Sequence, residues 1–286
     1  SVFACRPAPV QITWAGYVGT TGLPSMDYLL ADEVHVPYGE EDAYTEEVLR
    51  MPEGYGYVTY APPDYAPEVG PLPALQNGYI TFAAFQNPAK LNEHILELWA
   101  RILKKVPGAR LLLIYAGMDA RPNQDRISDA MQHGGVDPQR VFCKGKLPHS
   151  ELLGSYNQVD ISLDTMPYSG GVVTCESLFM GVPVITLPGD TFASRHSASH
   201  LTRVGLEDLI ASDQEEYISL AADLAGDLTR LSGLRGSLRE RMVNSPLYNG
   251  ETWSSAFEAL ILQTVYGSRQ SQFSVNQVLE KAINCH

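Results

Sequence analysis

From Tyr79 onward, short aliphatic and β-branched runs alternate with stretches whose apolar residues recur at helical spacing. That alternation predicts βα units wound around a parallel sheet. The candidate strands are Tyr79 to Phe85, Leu111 to Tyr115, Arg140 to Cys143, Val159 to Leu163 and Val182 to Leu187. Each is short and largely apolar, as strands covered on both faces are. Between them, Glu93 to Lys105 carries Ile95, Leu96, Leu98, Trp99, Ile102 and Leu103 at helical spacing, with Asn92 as N-cap and Pro107-Gly108 as stop signal. Gln124 to His133 and Glu151 to Tyr156 read as further crossover helices. After Leu187 the pattern turns helical, at Ser197 to Val204, Gln214 to Leu224, Leu228 to Val243 and Glu251 to Tyr266. The expected fold is α/β, a Rossmann-like parallel sheet with helices on both faces.

The first 50 residues read differently: a strand-like Val10 to Trp14, a glycine-rich Gly16 to Gly22, then Tyr28 to Val36 and a short helix near Glu40 to Arg50. They are too few for a domain and look like the remnant of one. Pro62, Pro63, Pro67, Pro71 and Pro73 stiffen the segment that follows. The chain is thus divided into a remnant (1–57), a proline-rich linker (58–75), a Rossmann-like domain (76–250), a returning helix (251–267) and a polar tail (268–286), the last with a short helical pattern at Val275 to Ile283. No internal repeat of solenoid period is visible.

Composition narrows the function. Hydrophobic residues make up 44% and charged residues 19% of the 286, an ordinary globular balance. The net charge of −13 repels a nucleic-acid backbone. The densest basic stretch, Arg235 to Arg241, reads as the wet face of an amphipathic helix. No apolar run approaches the roughly 20 residues of a membrane span. Cys5, Cys143, Cys175 and Cys285 have neither disulfide-scaffold nor zinc-knuckle spacing, which fits a reducing cytoplasm. The chain opens without a Met, directly into Ser1-Val2-Phe3, and has the look of a fragment.

The candidate chemistry lies on three loops. Val159 to Leu163 leads through Asp164 to Ser169 into Gly170-Gly171 and then the helix start Val172-Val173-Thr174. Unpaired N–H groups and about half a positive charge at a helix start, approached past two glycines, make an anion cradle. Glu176, placed in the first turn of that helix, has the reach to accept hydrogen bonds from a ribose diol; an acid there also serves the helix dipole alone. Lys90 follows Phe85-Gln86-Asn87-Pro88-Ala89 at the carboxyl end of a strand, where ligands of open α/β sheets gather, although a lysine before a helix is also an ordinary surface charge. His149, in Lys146-Leu147-Pro148-His149, marks the third loop at that edge, with helix capping as its plainer role. Gly16-Tyr17-Val18-Gly19-Thr20-Thr21-Gly22 has G-x-x-G-x-x-G spacing and no clear helix after it, so a dinucleotide reading does not fit. Neither a P-loop nor a defensible metal-ligand spacing occurs.

Arg6 to Trp14, Gly16 to Gly22, Met26-Asp27-Tyr28, Gly189 to Arg195 and Ser245-Pro246-Leu247-Tyr248 together resemble glycosyltransferase family 41, the protein O-GlcNAc transferase and SPINDLY-like family. The resemblance runs from about Phe3 to Val265. It implies a two-domain GT-B-like enzyme with the nucleotide-sugar in the cleft and Glu251 to Tyr266 as the helix returning to the first catalytic domain. It implies Lys90 as the residue on the donor diphosphate, and His149 with Asn87, Lys146 and Leu147 near the nucleotide. Gly170, Gly171, Val172, Val173 and Thr174 fall on the phosphate-binding helix start, Glu176 on the ribose acid, and Gly16 and Tyr17 on the sugar and acceptor side.

The implied activity is inverting transfer of N-acetylglucosamine from UDP-GlcNAc to serine or threonine hydroxyls of proteins, with no metal or other cofactor and with tetratricopeptide repeats in the full-length parent. Two departures stand out. Val172-Val173 replace the family's Thr-Thr, removing two hydroxyl donors, each worth about 1.5 to 3 kcal/mol in a charge-assisted bond. Most of the first catalytic domain has no counterpart before Ser1, so the isolated chain is expected to be inactive. The alternatives are a protein O-fucosyltransferase using GDP-fucose, from the SPINDLY-like branch, and a non-catalytic nucleotide-binding module.

Overall fold

The computed structural model describes residues 2–283, with side chains to residue 266. In chain order its elements are β1 (Ile12–Thr13), β2 (Tyr28–Ala31), β3 (Glu47–Arg50), α1 (Pro73–Asn77), β4 (Thr81–Ala84), α2 (Glu93–Lys105), β5 (Arg110–Ile114), α3 (Arg121–His133) and β6 (Val141–Lys144). They continue with α4 (His149–Ser155), β7 (Ile161–Leu163), α5 (Val172–Phe179), β8 (Val184–Ile185), α6 (His196–Arg203), α7 (Gln214–Gly226), α8 (Leu228–Val243) and α9 (Gly250–Ile283).

The βα alternation builds a five-stranded, all-parallel sheet in the order β6-β5-β4-β7-β8. Helices bury both faces, which is why strands such as β4 and β5 are apolar nearly throughout. The apolar positions of α2 are all buried, and the Asn92 side chain caps the helix by accepting from the Ile95 N–H. Buried Trp99 donates its indole N–H to the Tyr217 hydroxyl, which in turn donates to the carbonyl of Asp164 at the end of β7. This relay ties two helices to the strand end from which the central loop departs.

The amino-terminal segment is more ordered than its pattern suggests. The region expected to hold a short helix near Glu40 to Arg50 is instead a 3₁₀ turn, Glu41–Ala43, followed by strand β3. Pairing with β2 decides the matter, since Val48 and Leu49 find parallel partners in Leu29 and Leu30. The three strands form a second parallel sheet, β1-β2-β3. Against it packs α9: Trp253 is buried with Leu30, Leu49 and Met51, and its ring forms a three-way cluster with those of Trp14 and Phe257, each pair in contact. The helix expected over Glu251 to Tyr266 begins at Gly250 and runs on to Ile283.

Residues 58–75 are strapped to the α/β body. The N–H of Tyr60 bonds the Leu247 carbonyl, and that of Gly70 bonds Asn157. Arg235 corrects the sequence expectation: it is buried, and its guanidinium donates to the carbonyls of Gly70, Val159 and Tyr156 and to Asn157 Oδ1. Arg239 likewise donates to the carbonyls of Phe179 and Pro67. Alternating charge suggested a wet face because nothing local announces that the strap's carbonyls need donors. Arg235→Leu should therefore cost about 2 to 4 kcal/mol, because several buried acceptors lose a charged donor. A shift in urea midpoint corresponding to less than about 0.5 kcal/mol would mean that the clamp carries no stability.

Candidate functional site

All five strands of the main sheet are parallel, so the loops after β4, β6 and β7 open at one edge, and three of the sequence candidates meet there. The loop after β7 is organised by Asp164, whose carboxylate is buried. It accepts the Gly170 N–H at 2.7 Å and the Thr186 hydroxyl at 2.7 Å. Burial pushes its carboxyl upward in pKa, and hydrogen bonds from Ser197, Thr186 and Gly170 oppose the push. The turn needs glycine at 170, since a Cβ there would lie 2.5 Å from Thr174 Oγ1 and 2.7 Å from Gln86 Nε2. Gly171 meets no such wall and caps α5 on the open side.

The first turn of α5 points its N–H groups into a cleft of about 890 Å³. Those of Val172 and Val173, as first-turn donors, have no intrahelical acceptor. The Thr174 hydroxyl is turned away, onto the Gly170 carbonyl and Ser197. Lys90 reaches the same wall from the loop after β4. Its Nζ is held by the Ser169 carbonyl at 2.9 Å and Gln86 Oε1 at 3.2 Å, and lies 4.3 Å above the ring of Tyr168. Burial lowers its pKa while the Asp164 charge raises it. Asn87, which caps the short turn before Lys90, lines the cleft as well.

The remaining candidates take second places. Glu176 is the fifth residue of α5, just past the first turn expected of it, and it is buried. Its Oε1 pairs with His149 Nε2 at 2.7 Å, and His149 Nδ1 meets the Tyr65 hydroxyl at 2.8 Å. Burial raises the Glu176 carboxyl and His149 lowers it. Lys146 is exposed and Leu147 packs on the core. Gly16 and Tyr17 are exposed, while their neighbours Ala15 and Val18 line the cleft. Ala15 holds a φ of 52°, a left-handed conformation that costs a non-glycine residue energy.

Sequence reasoning missed Tyr57, Tyr60, Tyr168, His196 and His200, all of which line this cleft. No motif marks them, because they come from the strap, the β7 loop and α6. Two carry buried polar atoms without a hydrogen-bond partner, the Tyr60 hydroxyl and His200 Nδ1. Among the described residues no group of three or more His, Cys, Asp or Glu is placed to hold a metal ion.

Burial drives His200 down to about 3 and His196 to about 2, so both are neutral when folded. An unfolded chain protonates these histidines near 6.5. Their contribution is complete above that pH and is lost as pH falls towards 3. Each histidine should contribute at most about 1.4 kcal/mol per pH unit to this loss. His200→Gln should flatten the fall in urea midpoint between pH 6.5 and 4; an unchanged slope would show that His200 is not held neutral.

The sequence matches the profile of Glycosyl transferase family 41 over residues 1–59 and 72–257. It is 42% identical over 259 residues to a probable UDP-N-acetylglucosamine–peptide N-acetylglucosaminyltransferase SPINDLY of Petunia hybrida, covering 90% of this chain and 28% of the relative. It is 30% identical over 265 residues to the similarly described SEC protein of Arabidopsis thaliana, covering 90% of this chain and 27% of that one. Among solved structures it superposes on a Thermobaculum terrenum O-GlcNAc transferase K341M mutant with a TM-score of 0.87 at 36% identity, covering 94% of this chain and 51% of the other. The chain spans little more than a quarter of the length of the curated relatives it matches. With a lysine and a helix start converging on one cleft, and with sequence and fold agreeing over nearly its whole length, the chain belongs to glycosyltransferase family 41.

Proposed function

We propose that this chain is the nucleotide-sugar half of an inverting glycosyltransferase whose complete form transfers N-acetylglucosamine from UDP-GlcNAc to serine or threonine hydroxyls of proteins. The observation that carries the reading is the convergence of Lys90 Nζ and the unsatisfied N–H groups of Val172 and Val173 on one cleft wall. A diphosphate seated there meets positive charge from two sides, and neither source needs to reorganise when the reaction begins. The SPINDLY and SEC relatives, described as probable UDP-N-acetylglucosamine–peptide N-acetylglucosaminyltransferases, support the choice of donor and acceptor.

In the proposed reaction the acceptor hydroxyl gives up its proton to a base assigned to the acceptor-binding half, and its oxygen attacks the anomeric carbon from the face opposite the diphosphate. The bond from that carbon to the phosphate oxygen breaks, and negative charge grows on the leaving UDP. Lys90 and the α5 dipole stabilise it, the term that usually dominates in such sites, so the mechanism calls for no metal. Glu176, steadied by His149, is assigned to the ribose diol. Tyr60, with its unpaired hydroxyl on the same cleft, is a further donor for the nucleotide. The tetratricopeptide repeats and acceptor-binding half are assigned to the full-length parent, and a cytoplasmic location rests on cysteines without disulfide spacing.

Calorimetric titration with UDP tests the half-site directly, because it needs no acceptor domain. Saturable binding that Lys90→Ala weakens by about tenfold or more is expected. Preference for GDP would move the reading to a GDP-fucose donor, and no binding of either nucleotide to a folded chain would favour the non-catalytic module. Val172→Thr with Val173→Thr should tighten UDP by about tenfold or more by restoring two hydroxyl donors. No gain would mean that these positions do not face the phosphates. In the full-length parent, Lys90→Ala should lower turnover by about a hundredfold, whereas a loss below about threefold would remove Lys90 from the mechanism.

A further inference from the structure

A buried polar chain runs from the amino-terminal sheet to the cleft and is used by nothing described so far. It begins at Asp32, just after β2, whose carboxylate accepts from the N–H groups of Val34, His35 and Tyr57, from the Ser199 hydroxyl and from His35 Nδ1 at 2.9 Å. Burial opposes ionisation of Asp32, but the charge and hydrogen bonds of His35, with Arg203 beyond, hold its carboxyl well below the usual range. His35 passes the chain on, its Nε2 lying 2.9 Å from His196 Nδ1 on α6. Tyr57 OH approaches the same Nδ1 at 3.3 Å. Both protein contacts of the His196 ring are thus made at Nδ1, and the ring lines the donor cleft. Tyr168 stands 5.9 Å away, ring to ring, with Lys90 above its face.

An ionised carboxylate only accepts, so His35 carries a proton on Nδ1, and that bond fixes the orientation of its ring. With Nδ1 of His196 engaged by His35 and Tyr57, Nε2 is the ring nitrogen left for a partner in the cleft.

We propose that His196 is a specificity-determining residue for the transferred sugar, its Nε2 sharing a hydrogen bond with a hydroxyl of the hexose, with Asp32 and His35 as positioning residues that hold the ring. The proposal rests on the nucleotide-sugar reading above. A sugar linked to a diphosphate at Lys90 extends along the wall that Tyr168 and His196 form. An analogue lacking that hydroxyl leaves the ring nitrogen unpaired, the arrangement that discriminates most strongly between substrates.

The test compares two probes on this chain, UDP and UDP-GlcNAc, by calorimetry. His196→Phe keeps a ring of similar shape and removes the ring nitrogens. It should leave UDP affinity within about twofold and weaken UDP-GlcNAc about five- to twentyfold. His35→Leu should do the same by releasing the ring. In long-range ¹H–¹⁵N spectra of the unsubstituted chain, UDP-GlcNAc should move the His196 Nε2 resonance and UDP should not. This readout does not depend on any variant folding. Equal weakening of both probes would mean that His196 is structural; no weakening of either, or an Nε2 resonance that UDP-GlcNAc leaves in place, would overturn the proposal. Failure of the unsubstituted, folded chain to bind UDP at all would instead sink the nucleotide reading, and this inference with it.

Discussion

The buried carboxylate of Asp164 is the constraint on which the cleft depends. It stands where β7 ends, and it turns the following loop back by taking the Gly170 N–H while holding Thr186 beyond β8. Its own carbonyl is gripped by Tyr217, which is locked to Trp99 of α2. Gly170 is then pressed so closely against Gln86 and Thr174 that no side chain fits, and α5 can start in only one direction. The same acidic charge favours the protonated form of Lys90 despite its burial. One buried anion therefore aims the helix amino terminus and supports the cation that faces it. Both are the elements a phosphate requires.

A second set of polar contacts joins the amino-terminal sheet to this body. Arg203 pairs with Glu33, Arg195 with Glu40, and Ser199 with Asp32, all between α6 and the segment after β2. Trp253 and Trp14 donate to carbonyls of Gly56 and Tyr57 at the start of the strap. The small sheet is too short to be a domain, but it is fastened by α6, α9 and the strap together. Its position brings Ala15, Val18, Tyr57 and Tyr60 to the cleft, which is therefore closed partly by residues from outside the main sheet.

Much of this was legible in the sequence. The βα alternation gave the strands and crossover helices to within a few residues, because in a parallel sheet both faces are buried and apolar runs are unambiguous. Leu228–Val243 agrees at both ends, and Lys90 and the Gly170–Val173 stretch stand out because a strand, a glycine pair and a helix start make a local signature. The failures share one cause. β3, buried Arg235, the pairing of Glu176 with His149 and the histidines of α6 are all decided by partners far away in the chain. Periodicity and spacing register neighbours along a helix or strand; they carry no trace of a carbonyl from residue 70 waiting for a guanidinium at 235.

A crystal structure of this chain soaked with UDP tests the central claim most directly. The account predicts the diphosphate seated on the N–H groups of Val172 and Val173 within hydrogen-bond reach of Lys90 Nζ, with the ribose directed to Glu176. A nucleotide bound elsewhere, or one whose phosphates ignore both Lys90 and the start of α5, would contradict it.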